Sequence, residues 1–300
     1  MKVGTPLGTL PTMSLLIIIS CLIAERFLLQ QQELRDPHWF ARYSSWYQEQ
    51  ELSSKLTQGF GGVIGLLLPP LLLVALLQAL LDGMLFDLPS LLFAGALLLF
   101  CFGPQDLDQQ ASRFVEARER GNEDQARVIA RQLIGDEPPT QEPAYSQAVT
   151  EGILSQANSR LFAVIFWFLL LGPLGAILYR VASLLPSSRL ADESLDFYHA
   201  SRDLLGLLDW LPVRITAFSY AIAGSFEDAL FAWRNYSENS SGGLLVATGS
   251  GALRMNNVLE QAEVSSNDGL YLVEAAMSLV WRALISWILL LALLTLAGWI

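Results

Sequence analysis

Three ionisable residues with helical spacing form a candidate metal or proton site. Asp196, His199 and Asp203 stand at positions i, i+3 and i+7, which places their side chains on one face of a helix. Carboxylate and imidazole groups in this arrangement could hold Mg²⁺ or relay protons. A solvated helix face next to a membrane would carry the same residues, so the spacing leaves both interpretations open.

A second candidate lies in the run Asp209-Trp-Leu-Pro-Val-Arg214. The guanidinium of Arg214 could clamp a phosphate or a carboxylate, and Asp209 could pair with it across Pro212. The alternative is a structural ion pair that anchors a helix at the membrane interface. Both interpretations fit the spacing, because ionisable residues in an apolar segment are functional candidates by default.

A third candidate is Gly172-Pro-Leu-Gly175, followed by Tyr179-Arg180. Small residues let another helix approach closely, which favours a packing role for the two glycines over a ligand site.

The composition places these residues in a membrane protein. The chain has 300 residues, of which 53% are hydrophobic and 16% charged, against about 25% charged in a typical soluble domain. A formal net charge of −11 excludes nucleic-acid binding through bulk charge. The two histidines, His38 and His199, exclude a histidine-rich metal centre. Cys21 and Cys101 lie in apolar blocks, where thiols are usually packing groups.

A helix needs about 20 apolar residues to cross a bilayer. Five blocks approach or pass this length, near residues 14–29, 63–81, 88–102, 161–185 and 281–300. A sixth block, 204–224, contains Asp209, Pro212 and Arg214, and we expect it either to lie at the interface or to span with these residues facing protein. The sequence therefore predicts an all-α, polytopic membrane protein with about five membrane segments.

Two features inside the apolar blocks predict local structure. Pro69 and Pro70 remove backbone donors, so neighbouring segments must supply donors to the freed carbonyls. Trp287 and Trp299 stand near the two ends of the last block, where interfacial tryptophans are expected.

The polar segment 105–160 is predicted to fold as a helical insert. Residues 109–120 and 123–134 have amphipathic helical spacing, separated by Gly121-Asn122. Asn122 can cap the second helix and Gly135 can end it. The arginines of this segment favour a cytoplasmic location.

These features divide the chain into five parts: N-terminal membrane helices in 1–104, the insert in 105–160, a membrane helix plus a kinked amphipathic or membrane helix in 161–224, a polar helical and loop region in 225–277, and a C-terminal membrane helix in 278–300. Met1 and Met13 are both candidate starts, because residues 1–12 look like an appended leader.

Four runs of sequence resemble the AmpE family of bacterial inner-membrane proteins: LLDWLPVRITAFSYAIAG (Leu207–Gly224), FEDALFAWR (Phe226–Arg234), FWFLLLGPLGAILYR (Phe166–Arg180) and AERFLLQ (Ala24–Gln30). The resemblance covers nearly the whole chain from Met13. It implies an association with a cytosolic amidase of cell-wall recycling and with β-lactamase induction, as a sensor or signal modulator.

AmpE proteins are similar in turn to the CobD/CbiB membrane enzymes, which are ATP-dependent amide ligases of cobalamin biosynthesis. Against the ESxxEN-type motif of those enzymes, this chain keeps Glu151 but has Ser155 and Gln156 at the later Glu and Asn places. After the fourth block it has Ser183 and Pro186 at the Asn and Asp places.

The third ligase motif, LDDxxNxxPAR, is also only partly present. The chain keeps Pro212 and Arg214, has Asp209 at the Asn place, and has Leu205-Gly206 instead of the two Asp residues. Magnesium–nucleotide chemistry needs carboxylates. The resemblance therefore implies that the scaffold is retained and that most of the ligase constellation is lost.

Together these observations favour a non-enzymatic inner-membrane regulatory or signalling protein linked to peptidoglycan recycling and β-lactamase induction. A small anionic ligand, cell-wall-derived or a lipid head group, is expected to bind Arg180 and Arg214 in a site that includes Glu151, Tyr179 and Asp209. A CobD/CbiB-like ligase is one alternative, and a transporter is another, because proline-containing helices lie near polar residues. The sequence specifies the lipid bilayer as a partner, and it leaves the cofactor unknown and homo-oligomer formation open.

Overall fold

The computed structural model describes residues 17–22, 39–48, 59–81, 88–102, 107–237, 240–255, 258 and 268–297. Every regular element in this part of the chain is helical. The helices are α1 (Trp39–Gln48), α2 (Phe60–Leu81), α3 (Leu88–Cys101), α4 (Leu107–Glu119), α5 (Glu123–Ile134), α6 (Ala144–Ala157), α7 (Ala163–Leu171), α8 (Pro173–Leu184), α9 (Arg189–Glu193), α10 (Leu195–Ala223), α11 (Phe226–Asn235), α12 (Ser241–Ala252) and α13 (Asp268–Leu296). A π-helical turn, Asn158–Phe162, joins α6 to α7, and residues 17–22 are also helical.

The chain forms two compact units, which are described separately. The first unit contains Met1–Pro104, Ala163–Asp209 and Leu291–Ile300. The second unit contains Gln105–Phe162 and Trp210–Leu290.

Three helical stretches are long and apolar enough to cross a membrane: Phe60–Leu81, Ala144–Leu171 and Gly269–Leu296. Helix α2 exposes large apolar side chains at four-residue intervals, among them Leu68, Leu72, Leu76 and Leu80. Such a stripe suits contact with lipid, because it would be unfavourable in water. The predicted all-α, polytopic membrane fold is confirmed.

Helix α2 runs without a break through Pro69 and Pro70. Proline cannot donate to the carbonyl four residues earlier, so Pro70 frees the carbonyl of Leu66. The hydroxyl of Tyr43, on α1, donates to that carbonyl at 2.9 Å. Burial raises the pKa of Tyr43 to about 12, with a smaller contribution from Tyr47, so the hydroxyl keeps its proton at neutral pH. This contact supplies one of the donors that the proline pair requires.

The predicted membrane segment at 161–185 contains two helices, which are divided where Gly172-Pro173 interrupts the apolar run. Helix α7 ends at Leu171, Gly172 has φ 64° and ψ −150°, and α8 starts at Pro173. A Cβ on Gly175 would overlap the carbonyl of Trp167, although eight residues of straight helix would separate the two by about 12 Å. The chain therefore reverses at Gly172, and α8 packs against α7, α2 and α3 inside the first unit.

The reversal also changes the predicted part boundaries. Helix α8 has 12 residues, so it is about 18 Å long and too short to cross the hydrocarbon layer alone. Helix α7 instead continues α6 through the π-helical turn, in a stretch of 28 residues that crosses the predicted boundary at residue 160.

The second unit contains the polar insert, where local signals were sufficient. Helices α4 and α5 lie within two residues of their predicted bounds. The Asn122 side chain accepts a hydrogen bond from the Gln125 amide and caps α5. Gly135 ends α5 in the left-handed conformation. The apolar stripe of α5 is buried: Ala126, Ile129, Ala130 and Leu133.

Helix α13 starts at Asp268, ten residues before the predicted C-terminal membrane part. Trp287, which the sequence places among interfacial tryptophans, packs inside the second unit: it is 7% exposed and its indole donates to Ser219 Oγ at 2.7 Å. Its ring also lies 5.3 Å from that of Phe162. Trp299 lies outside the described residues.

The predicted first membrane segment, 14–29, is described only over residues 17–22. Within it, Cys21 is buried and its Sγ contacts the Gly95 carbonyl of α3 at 3.4 Å. The candidate starts Met1 and Met13 lie outside the described residues.

Candidate functional site

Helix α8 places Tyr179 and Arg180 in the interior of the first unit. Pro173 occupies the first turn of the helix, where its missing amide hydrogen has no consequence. Because α8 is surrounded by α2, α3 and α7, Tyr179 has no exposed surface and Arg180 is 8% exposed. A guanidinium and a phenol are therefore buried among apolar helices.

Helix α10 brings a carboxylate to Tyr179. The Tyr179 hydroxyl donates to Asp209 Oδ1 at 2.7 Å. Arg180 is also close enough for its positive charge to act on this hydroxyl, with the sign opposite to that of the Asp209 carboxylate. The first unit therefore contains a cluster of three polar side chains: Tyr179, Arg180 and Asp209.

A second contact fixes the backbone of α10 beside this cluster. Helix α10 continues through Pro212, which frees the carbonyl of Leu208. The indole of Trp167, on α7, donates to that carbonyl at 3.2 Å. The proline in the candidate motif is thus supported in the same way as Pro70, by an aromatic donor from another helix.

Arg214 belongs to the second unit and has partners on its own helix. Its guanidinium donates to the Trp210 carbonyl at 2.7 Å and lies 4.2 Å from the centre of the indole ring. Asp209 is hydrogen-bonded to Tyr179 in the first unit, so these contacts of Asp209 and Arg214 are each within their own unit. Stacking on an indole suits the planar guanidinium.

The row Asp196, His199 and Asp203 lies on the first turns of α10, and all three side chains are exposed. In the described part of the chain, no group of three or more His, Cys, Asp or Glu side chains is arranged to hold a metal ion. The geometry fits the solvated helix face, the alternative that the spacing had left open.

Glu151 lies on α6 in the second unit, where its Oε1 accepts a hydrogen bond from Gln147 Nε2 at 2.8 Å. Of the five predicted ligand-binding residues, the structure brings Tyr179, Arg180 and Asp209 into one cluster. Glu151 and Arg214 belong to the other unit.

Sequence reasoning missed three polar contacts that hold the helices. They are the Trp167 indole on Leu208, the Trp287 indole on Ser219, and the hydroxyl of Thr216 on Asn158 Oδ1 at 3.0 Å. Asn158 is in the π-helical turn, an irregularity that is frequent at functional sites. Only the first contact had a signal in the sequence, since Pro212 implies a carbonyl in need of a donor.

Comparison with known families gives this arrangement a context. Residues 13–300 match the model of a family described as "Regulatory signalling modulator protein AmpE". The chain belongs to the AmpE family. The predicted resemblance is confirmed, and the AmpE family is a family of regulatory proteins by its own description.

Two curated relatives of this AmpE chain are named "Cobalamin biosynthesis protein CobD". The protein of Chromobacterium violaceum is 32% identical over 198 residues, which is 63% of this chain and only 61% of the relative. The protein of Stutzerimonas stutzeri is 26% identical over 284 residues, which is 83% of this chain and 89% of the relative. No solved structure matches the chain.

Proposed function

We propose that this protein is a multi-pass regulator of the bacterial inner membrane that links peptidoglycan recycling to β-lactamase induction. It does so by binding a small anionic, cell-wall-derived ligand rather than by catalysing a reaction. The family match supports the regulatory role, and the polar cluster supports a ligand-responsive element.

The observation that carries the proposal is the burial of Arg180 beside the Tyr179–Asp209 hydrogen bond. Burying an ionised group away from water is costly, so a buried guanidinium is usually paired or present for function. A guanidinium binds carboxylates and phosphates with paired, charge-assisted hydrogen bonds. An anion that reached Arg180 would change the charge next to Tyr179, and the hydrogen bond to Asp209 would respond.

Arg214 is the second candidate anion contact. Arg214 is half-buried and its guanidinium lies over the Trp210 ring; a guanidinium can bind a planar anion with paired hydrogen bonds.

The test is β-lactamase induction in a strain whose chromosomal gene is replaced. We expect deletion and Arg180→Gln to shift the inducer concentration for half-maximal β-lactamase several-fold, at equal protein level in the membrane. Arg189→Gln is the matched control, because Arg189 is an exposed arginine on α9, just after α8. Unchanged induction after clean deletion contradicts the proposal.

A second candidate function is an ATP-dependent amide ligase, because the two curated relatives carry the CobD name. Its weakness is the loss of carboxylates: at the ligase motif places this chain has Ser155, Leu205 and Gly206 where the enzymes have acidic side chains. Growth rescue of a corrinoid-auxotrophic strain by this gene would favour the ligase, and we expect no rescue.

A further inference from the structure

A cavity of about 720 Å³ lies inside the second unit. Its walls come from α6, from the antiparallel neighbours α11 and α12, and from the residues that follow each of those two helices. Ligand sites in proteins usually have volumes of roughly 300–1,000 Å³, so the cavity can hold a small organic molecule.

Three charged side chains line the cavity: Glu151, Asp228 and Arg254. Asp228 accepts hydrogen bonds from the Ser225 hydroxyl and from Arg254 Nε, the latter at 2.6 Å. These two hydrogen bonds, that of Ser225 first, lower the pKa of the Asp228 carboxyl, so it is ionised at neutral pH. Asp228 and Arg254 therefore neutralise each other.

Glu151 is left as the uncompensated charge of the wall. Gln147 donates to its Oε1 at 2.8 Å, and among the described residues no group bonds its Oε2. A neutral amide orients the carboxylate but does not cancel its charge. The described residues that line the cavity thus sum to one negative charge, at Glu151.

The contacts of the Arg254 side chain accompany an unusual backbone conformation. Arg254 has φ 53°, a left-handed conformation that is uncommon for a residue other than glycine. Strain of this kind persists where surrounding contacts over-determine it, and here those contacts are Asp228 and Ser225.

The rest of the wall also suits a cation. Phe231 and Tyr236 contribute aromatic rings, whose faces attract ammonium groups. Ser250 lines the cavity as well, and its Oγ is buried without a hydrogen-bond partner among the described residues. A native structure rarely leaves such a group unsatisfied.

We propose that this cavity binds a small organic cation with a protonated amine or quaternary ammonium group. Its ammonium group meets the Glu151 carboxylate and the aromatic rings of Phe231 and Tyr236. The assignment separates Glu151 from the anion site expected from the sequence, because a carboxylate repels anions. It does not depend on the regulatory role proposed above.

The test uses the full chain in detergent, with cadaverine as the probe in equilibrium dialysis. 1,5-Pentanediol has the same length and no charge, so it reports shape without charge. We expect saturable cadaverine binding that Glu151→Gln weakens at least tenfold. Pentanediol should bind the unaltered protein no better than cadaverine binds the Glu151→Gln variant. Glu227→Gln is the matched control, because it removes an exposed carboxylate of α11 that does not line the cavity.

A second variant, Ala247→Leu, fills the cavity without changing its charge and should also weaken cadaverine binding. Nanodiscs of phosphatidylglycerol, with or without phosphatidylethanolamine, identify the source of the cation. Competition by phosphatidylethanolamine assigns the cavity to a lipid headgroup, and its absence assigns it to a soluble amine. The proposal is overturned if cadaverine does not saturate in phosphatidylglycerol discs, if pentanediol binds equally well, or if Glu227→Gln weakens binding as much as Glu151→Gln.

Discussion

Helix α10 carries ionisable residues in two different environments. Asp196, His199 and Asp203 share one face near its start, and all three are exposed. Asp209 follows on the same helix, is half-buried, and accepts a hydrogen bond from the fully buried Tyr179. Spacing along one helix is enough to predict the shared face of the first three residues. The buried hydrogen bond of Asp209 instead requires Tyr179 from α8, a contact between distant segments.

The largest difference between the two environments should come from removing a side chain. Tyr179→Ala leaves a cavity in the first unit and removes one hydrogen-bond partner of Asp209, for a loss of about 3–5 kcal/mol. We expect a large fall in apparent melting temperature, as measured by fluorescence-detected size exclusion of heated samples in detergent. Tyr198→Ala, at a half-buried tyrosine beside the exposed row, should have a much smaller effect. Equal effects would remove the distinction between the two environments.

Removing only the hydroxyl isolates the hydrogen bond. Tyr179→Phe keeps the ring packed and takes the donor from Asp209, which should cost about 1.5–3 kcal/mol because the acceptor is charged. The same melting assay measures it. Tyr271→Phe, at an exposed tyrosine of α13, serves as control and should leave the melting temperature unchanged.

The hydrogen bond from Trp167 to the backbone next to Asp209 should contribute less to stability. Trp167→Phe removes the donor to the Leu208 carbonyl, for a loss of about 0.5–1.5 kcal/mol. Pro212→Ala restores an amide hydrogen for the same carbonyl, so Trp167→Phe should cost less in that background. A double-mutant cycle of melting temperatures checks this coupling. Additive losses would show that the indole does not serve the carbonyl freed by the proline.

The exposed row should give the smallest effects. Asp196→Asn, His199→Gln and Asp203→Asn each remove a solvated group, so each should change stability by no more than about 0.5 kcal/mol. Melting temperatures close to that of the unaltered protein check this expectation. A loss as large as that of Tyr179→Phe would restore these residues as a functional constellation.

The parts of the fold that the sequence predicted are those decided by neighbours along the chain. The cap at Asn122, the end of α5 at Gly135 and the buried stripe of α5 all follow from spacing within one helix. The apolar stretch of α2 follows from its length.

The parts that the sequence did not predict depend on contacts between distant segments. Pro70 and Pro212 announce carbonyls without donors, but only the fold identifies Tyr43 and Trp167 as their partners. A tryptophan near the end of an apolar block is typical of an interfacial anchor, but the indole of Trp287 donates to Ser219 in the interior of the second unit. The spacing of Asp209 and Arg214 allows an ion pair, but only the fold shows that Asp209 accepts a hydrogen bond from Tyr179 and that Arg214 contacts Trp210.

The turn between α7 and α8 depends on handedness and not on room. At Gly172 an added Cβ would meet nothing within 4 Å, but φ 64° and ψ −150° are the mirror image of the polyproline II angles. An L-amino acid is excluded there by its chirality alone, and a D-amino acid would adopt the same angles without strain. The reversal that buries Tyr179 and Arg180 therefore depends on the one achiral residue of the genetic code.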